Sequence, residues 1–143
     1  AIRSALAATM MACVVSQRGH AIPKNYPFVA ASGLEQLSKT KAVVNALDKF
    51  GLAAELMRVA KRTVRAGKGK ARGRRYKGKV GPLLVVSTEN CGLVRAARNI
   101  MGVDVAVVNR LNANLLAPGT SPGRLTLFTA AAIERLNNEK LFE

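Results

Sequence analysis

Hydrophobic positions repeat along this chain in two periods. Tyr26 to Ala31 (YPFVAA) reads as a short buried strand. Ser32 and Glu35 follow with the spacing of a capping box, so the pattern predicts a helix there, with Leu34, Leu37, Val44 and Leu47 at helical spacing and Gly51 as its C-cap. Leu52 to Ala60 predicts a second short helix with Leu52, Leu56 and Val59 inward. Leu83 to Ser87 (LLVVS) is a continuous apolar run, as a strand covered on both faces requires. Asn90 is placed to cap a helix through Leu93, Val94, Ala97 and Ile100 that closes at Gly102. Val103 to Val108 is the next strand, Leu111, Leu115 and Leu116 mark a helical turn, and Leu125 to Phe128 is the last strand. Thr129 opens a final helix with Ile133, Leu136 and Leu141. At the other end, Ile2, Leu6, Met10 and Cys13 form a stripe that predicts a core-facing helix; Arg3 alone is too weak a basic flank for a secretory signal.

Strands alternating with helices argue a parallel sheet between helix layers, with right-handed crossovers. The expected fold is α/β: a three-layer α/β/α sandwich with a roughly four-stranded parallel sheet. Its 143 residues fit a single globular domain over 1–143, with a basic Gly-rich loop inserted at 61–82.

Charge changes this picture. The chain carries 23 Lys and Arg against 8 Asp and Glu, a net of +15. Residues 61–79 (KRTVRAGKGKARGRRYKGK) hold ten of the basic residues and no acid. The remaining 13 basic and 8 acidic residues leave only +5 elsewhere. Gly67, Gly69, Gly73 and Gly78 punctuate the run. Dense glycine breaks helices, and dense like charge repels itself, so the segment is expected to be mobile alone and ordered on a polyanion. A long loop inside a compact domain is usually functional rather than a solvated linker. Tyr76 within it is placed either to stack on a base or to anchor the loop.

Other chemistries find little support. Cys13 and Cys91 lie 78 positions apart, and His20 is the only histidine. No Cys/His zinc site or disulfide framework follows, and the two cysteines suit a reducing compartment. No run of 18 apolar residues suggests a membrane span. The glycines of 67–73 read G-x-G-x-x-x-G, one residue too long for a dinucleotide fingerprint, and they precede a strand instead of following one. The eight carboxylates are scattered, most of them on expected helix surfaces, and no pair suggests acid/base work.

Arg65-Ala66-Gly67-Lys68-Gly69-Lys70-Ala71-Arg72-Gly73-Arg74-Arg75 resembles the signature of the large-subunit ribosomal protein L-four family, in its archaeal and eukaryotic branch. Ser16-Gln17-Arg18-Gly19-His20, Lys39-Thr40-Lys41, Ala96-Ala97-Arg98-Asn99, Leu116-Ala117-Pro118-Gly119 and Gly123-Arg124-Leu125 agree in the same order, over essentially the whole chain. The match resembles the C-terminal two-thirds of family members; their opening strand and helix and long tunnel-reaching loop have no counterpart in this sequence. The final helix opens with Thr129-Ala130-Ala131 where the family pattern has a Thr-Glu-Ser type cap.

The resemblance implies a structural ribosomal protein, located in cytoplasmic ribosomes, that binds large-subunit ribosomal RNA during assembly, beside neighbouring large-subunit ribosomal proteins. It implies no cofactor, small-molecule substrate, membrane or catalysis. Carried over by position, Arg65, Lys68, Lys70, Arg72, Arg74 and Arg75 are expected RNA contacts, joined within the same run by Arg62, Tyr76, Lys77 and Lys79. Arg18, His20 and Arg124 are further candidates. Two other classes stay in play: an α/β RNA-modifying or nucleotide-dependent enzyme with a basic substrate loop, and a histone-like DNA binder.

Overall fold

A computed structural model describes residues 1–142. Seven helices run through it: α1 (Ile2–Met10), α2 (Ala12–Gln17), α3 (Thr40–Lys49), α4 (Ala53–Ala60), α5 (Gly92–Ala97), α6 (Ala113–Leu116) and α7 (Ala130–Asn138). Six strands accompany them: β1 (Val29–Ala30), β2 (Thr63–Val64), β3 (Tyr76–Lys77), β4 (Leu83–Val86), β5 (Asp104–Val107) and β6 (Thr126–Thr129). β1, β6, β4 and β5 lie in that order in a parallel sheet; β2 and β3 form a separate antiparallel pair.

The apolar run at 83–86 is explained by its place in the sheet. β4 is flanked by β6 and β5, and all four of its residues are buried. Successive side chains point to opposite faces. Leu84 and Val86 enter a core with Val15, Val43, Leu47, Leu93 and Leu127. Leu83 and Val85 enter a second core with Ala5, Leu111, Leu116, Phe128 and Ala132. Helices α2, α3 and α5 therefore cover one face, and α1, α6 and α7 the other, giving the expected three layers.

Several local expectations change. The N-terminal stripe does not continue past Met10, because Met11 (φ −84°, ψ 105°) breaks the helix and turns the chain. Ala5 and Thr9 face inward, while Met10 and Cys13 are exposed. The strand expected over 26–31 is paired only at Val29 and Ala30. Of the helix expected from Ser32, only a 3-10 turn (Ser32–Gln36) forms before α3 begins at Thr40; α3 buries Val43 and Leu47, leaving Val44 half-buried. Cys91 rather than Asn90 precedes α5.

The capping box is replaced by a longer-range bond. Glu35 caps nothing in its own turn. Its carboxylate instead accepts from the Ser87 amide (2.9 Å), the Ser87 hydroxyl (2.7 Å) and the Thr129 hydroxyl (2.6 Å). Those residues stand at the carboxyl ends of adjacent parallel strands, so Glu35 ties the sheet's end together. Thr129 also caps α7 by accepting from the Ala132 amide. The first turn of α7 has no acidic residue of its own. Glu35 brings a carboxylate to that helix end from 94 positions away, where the helix dipole favours negative charge. Burial by itself raises the Glu35 pKa, but the bonds from Thr129 and Ser87 outweigh it and hold it below the ordinary range.

Glu35→Ala is therefore expected to destabilise by about 1–3 kcal/mol, because three donors lose their acceptor. Ser32→Ala should cost less than about 0.5 kcal/mol, the size of a neutral surface change, instead of the ~1 kcal/mol of a lost helix cap. Urea denaturation of the two variants measures both.

Candidate nucleic-acid interface

The basic segment is a β-hairpin, which corrects the expectation of a structureless loop. Thr63 pairs with Lys77 and Val64 with Tyr76. The Arg65 amide donates to Arg75 O at 2.8 Å and the Arg74 amide to Gly69 O at 3.1 Å. The glycines assist the turn: Gly67 (φ +77°) and Gly73 (φ +74°) adopt left-handed backbone on either side of a short 3-10 turn at Lys68–Lys70.

Every one of the ten cationic side chains between Lys61 and Lys79 belongs to an exposed residue. Among the described residues none of them forms an ion pair. Tyr76 is half-exposed, and the Arg75 guanidinium lies 5.7 Å from its ring centroid. That stacked pair offers an exposed π surface beside a positive charge.

Where the hairpin returns to the body, its backbone is gripped from beneath. Arg58 donates to Val80 O at 2.8 Å and Arg124 to Gly81 O at 2.9 Å. The Gly81 amide donates to Gly102 O at 2.9 Å. The fit there is close: a Cβ on Gly81 would stand 2.7 Å from Gly102 O, and one on Gly102 would stand 2.1 Å from the Val59 side chain. Both gripping arginines are held by carboxylates. Arg58 forks onto Glu55 with bonds of 2.7 and 2.6 Å, and Arg124 reaches Asp104 at 2.5 Å.

Glu55 is fully buried, an exception to the expectation that most carboxylates lie on helix surfaces. Besides Arg58, it accepts from His20 Nδ1 (2.6 Å) and from the Ala21 amide (2.9 Å). Desolvation by itself pushes its pKa up; the bonds from Arg58, His20 and Ala21 win and hold it at about 2.

The remaining candidates are placed differently from the hairpin. Arg124 is 1% exposed and His20 7%, so both side chains are turned to protein partners instead of to solvent. Arg18 lies half-buried, binding the carbonyls of Pro118 (2.6 Å) and Ser121 and so fixing the 118–122 loop. Burial, and then the nearby charge of Arg124, lower its pKa. It stays beside the hairpin's root: Arg18, His20, Arg58, Lys77, Lys79 and Ser121 line one open cleft. Sequence reasoning missed Glu55 and Arg58 altogether. The available signal was that Glu55 falls on the Leu52–Val59 stripe with an arginine one turn later.

Fold and site together define a class: an α/β domain that carries an unneutralised cationic hairpin on a fixed root. More specifically, the chain belongs to the Ribosomal protein L4/L1 family, whose sequence pattern matches residues 1–139. It is 51% identical over 142 residues to the large ribosomal subunit protein uL4 of Nanoarchaeum equitans, covering 99% of this chain and 53% of that protein. It is 47% identical over 137 residues to the uL4 protein of Methanococcoides burtonii, covering 95% and 54% respectively. The chain spans about half the length of the curated relatives it matches, less than the two-thirds expected.

The Glu55 cluster sets an acid limit. Its folded pKa is depressed, so its contribution is complete above the ordinary carboxylate value of 4.5 and is lost as pH falls towards about 2. Stability measured by urea denaturation should fall through that window. Glu55→Gln, though less stable at pH 7, should show a flatter dependence over the same range.

Proposed function

We propose that this chain is part of a structural constituent of the large ribosomal subunit that binds large-subunit ribosomal RNA through the 61–82 hairpin. Ten exposed cations on one hairpin, none of them in an ion pair among the described residues, in a chain of this family, support the reading most directly. The mechanism is phosphate neutralisation with release of counterions, combined with recognition of folded RNA shape. Arg62, Arg65, Lys68, Lys70, Arg72, Arg74, Arg75, Lys77 and Lys79 supply phosphate contacts, and Tyr76 supplies a stacking surface. The body, 1–60 with 83–142, frames the hairpin, and its less charged faces meet neighbouring ribosomal proteins. The setting is the cytoplasmic ribosome, with no catalysis and no cofactor.

One feature weighs against the nucleotide-dependent enzyme. In open α/β sheets, ligands enter at the carboxyl ends of strands where neighbouring connections diverge. β5 lies to one side of β4 and β6 to the other, which puts that crevice at Ser87 and Thr129. Glu35 fills it with the chain's own carboxylate, and Arg135 closes on Ser87 O at 2.5 Å. A phosphate would meet negative charge there.

Binding to large-subunit rRNA across a salt series tests the reading, with duplex DNA and unrelated RNA as competitors. With about eight phosphates met, log K should fall with log salt at a slope near −7 on duplex-like RNA. Replacing Lys68, Lys70 and Arg72 by Ala should make the slope shallower by about 3. Equal affinity for rRNA and duplex DNA would point to the histone-like binder instead. Binding of a nucleotide or methyl donor by calorimetry would favour the enzyme.

A further inference from the structure

The cations that meet RNA are one feature of the hairpin; the way its return strand is held is another. Only two rungs join β2 to β3, and a two-stranded hairpin is marginal in water by itself. Ten like charges over residues 61–79 oppose it further. Yet its return strand enters the body through three backbone bonds in sequence: Val80 O from Arg58, Gly81 O from Arg124, and Gly81 N–H to Gly102 O. Two of these come from side chains that have little freedom to turn. Arg58 forks onto the buried Glu55, which His20 and the Ala21 amide hold in turn. Arg124 is itself buried, fixed by Asp104 and by Leu115 O at 3.0 Å. A lysine could replace the charge of either arginine but not the planar fork that reaches carboxylate and carbonyl together.

We propose that Glu55, Arg58 and Arg124 are positioning residues for RNA binding: they fix the direction in which the hairpin leaves the body, and with it the preference for folded ribosomal RNA over a featureless polyanion. The inference rests on the hairpin being the RNA-binding element. A polyanion without fixed shape reads only the number of charges, because counterion release depends on phosphates neutralised. Folded RNA presents phosphates at fixed places, so a hairpin free to swing loses contacts that a rooted one makes. His20 belongs to the same device, bonded to Glu55 through Nδ1 at 2.6 Å.

Charge-conserving variants separate the two effects. Arg58→Lys keeps the net charge and leaves every hairpin cation in place. It should keep wild-type affinity and salt slope on single-stranded polyuridine, which has no fixed shape. Its affinity for large-subunit rRNA should fall about tenfold, the size of one lost charge-assisted contact to phosphate. Glu55→Gln should act in the same direction on rRNA preference. Because either change could unfold the chain, a second variant leaves the buried cluster untouched. Two glycines inserted after Lys61 and two after Gly78 lengthen the exposed stem but keep the grip on Val80 and Gly81. This variant should match the wild type in urea denaturation and in binding to single-stranded polyuridine, and should lose the same rRNA preference.

A stem-lengthened chain that keeps wild-type rRNA preference would overturn the proposal, since the direction of the hairpin would then carry no specificity. A folded Arg58→Lys chain with unchanged rRNA affinity would overturn it too. Failure of the wild type to prefer rRNA at all is a different result, and removes the functional reading on which the proposal rests.

Discussion

A hairpin with ten positive charges and no acid cannot hold itself in place. Carboxylates on its own strands would steady it, but they would also cancel the charge it offers to a polyanion. The chain places the opposing charge on the body instead, under the hairpin's root, with Glu55 buried and Asp104 exposed. Glu55 and Asp104 each hold one arginine, and each arginine holds one carbonyl of the return strand. The outward face stays unneutralised while the root is fixed. Burying Glu55 is costly in isolation, and it is tolerated because three donors converge on the carboxylate.

The sheet beneath answers a related constraint. Four parallel strands expose carboxyl ends that need polar partners, and many α/β proteins leave that edge open to a ligand. Here Glu35, Ser87 and Thr129 satisfy one another across it. The end of the fold that would serve chemistry is closed, and the unneutralised charge lies in an insertion between α4 and β4. Glu35 and Glu55 each accept from residues distant in sequence, Ser87 and Thr129 for the one and His20 and Ala21 for the other, so each also joins parts of the chain that the sheet alone does not connect.

The layering was legible because it rests on local pattern. A continuous Leu-Leu-Val-Val run has few uses other than a strand covered on both faces, and the alternation of strands with helices implied a parallel sheet. The cationic run was legible because charge density needs no structure to be seen. What escaped was decided by long-range pairing. Glu35 stands three residues after a serine, as in a capping box, yet its partners are 52 and 94 positions away. Glu55 falls on the inward stripe of α4, but nothing near it in the sequence shows that His20 will arrive beside it. Arg124 and His20 stand as RNA-contact candidates by family resemblance, and nothing local in the sequence shows that their side chains are buried on protein partners. Glycine density and like charge predict a loop at 61–82, and the hairpin's firmly held root has no local signal in the sequence. The family resemblance identified the run without showing how it is attached.

The most direct test is amide hydrogen exchange of the chain, free and then bound to large-subunit ribosomal RNA. In the free chain the Gly81 amide, bonded to Gly102 O, should exchange as slowly as amides of β4, and amides of the hairpin turn around Lys68–Lys70 much faster. On binding, protection should spread outward from the root through residues 61–79 and leave the edge at Ser87 and Thr129 unchanged. Protection that appeared at that edge, with the hairpin exchanging as before, would contradict the account, because the ligand would then occupy the sheet and not the cationic hairpin.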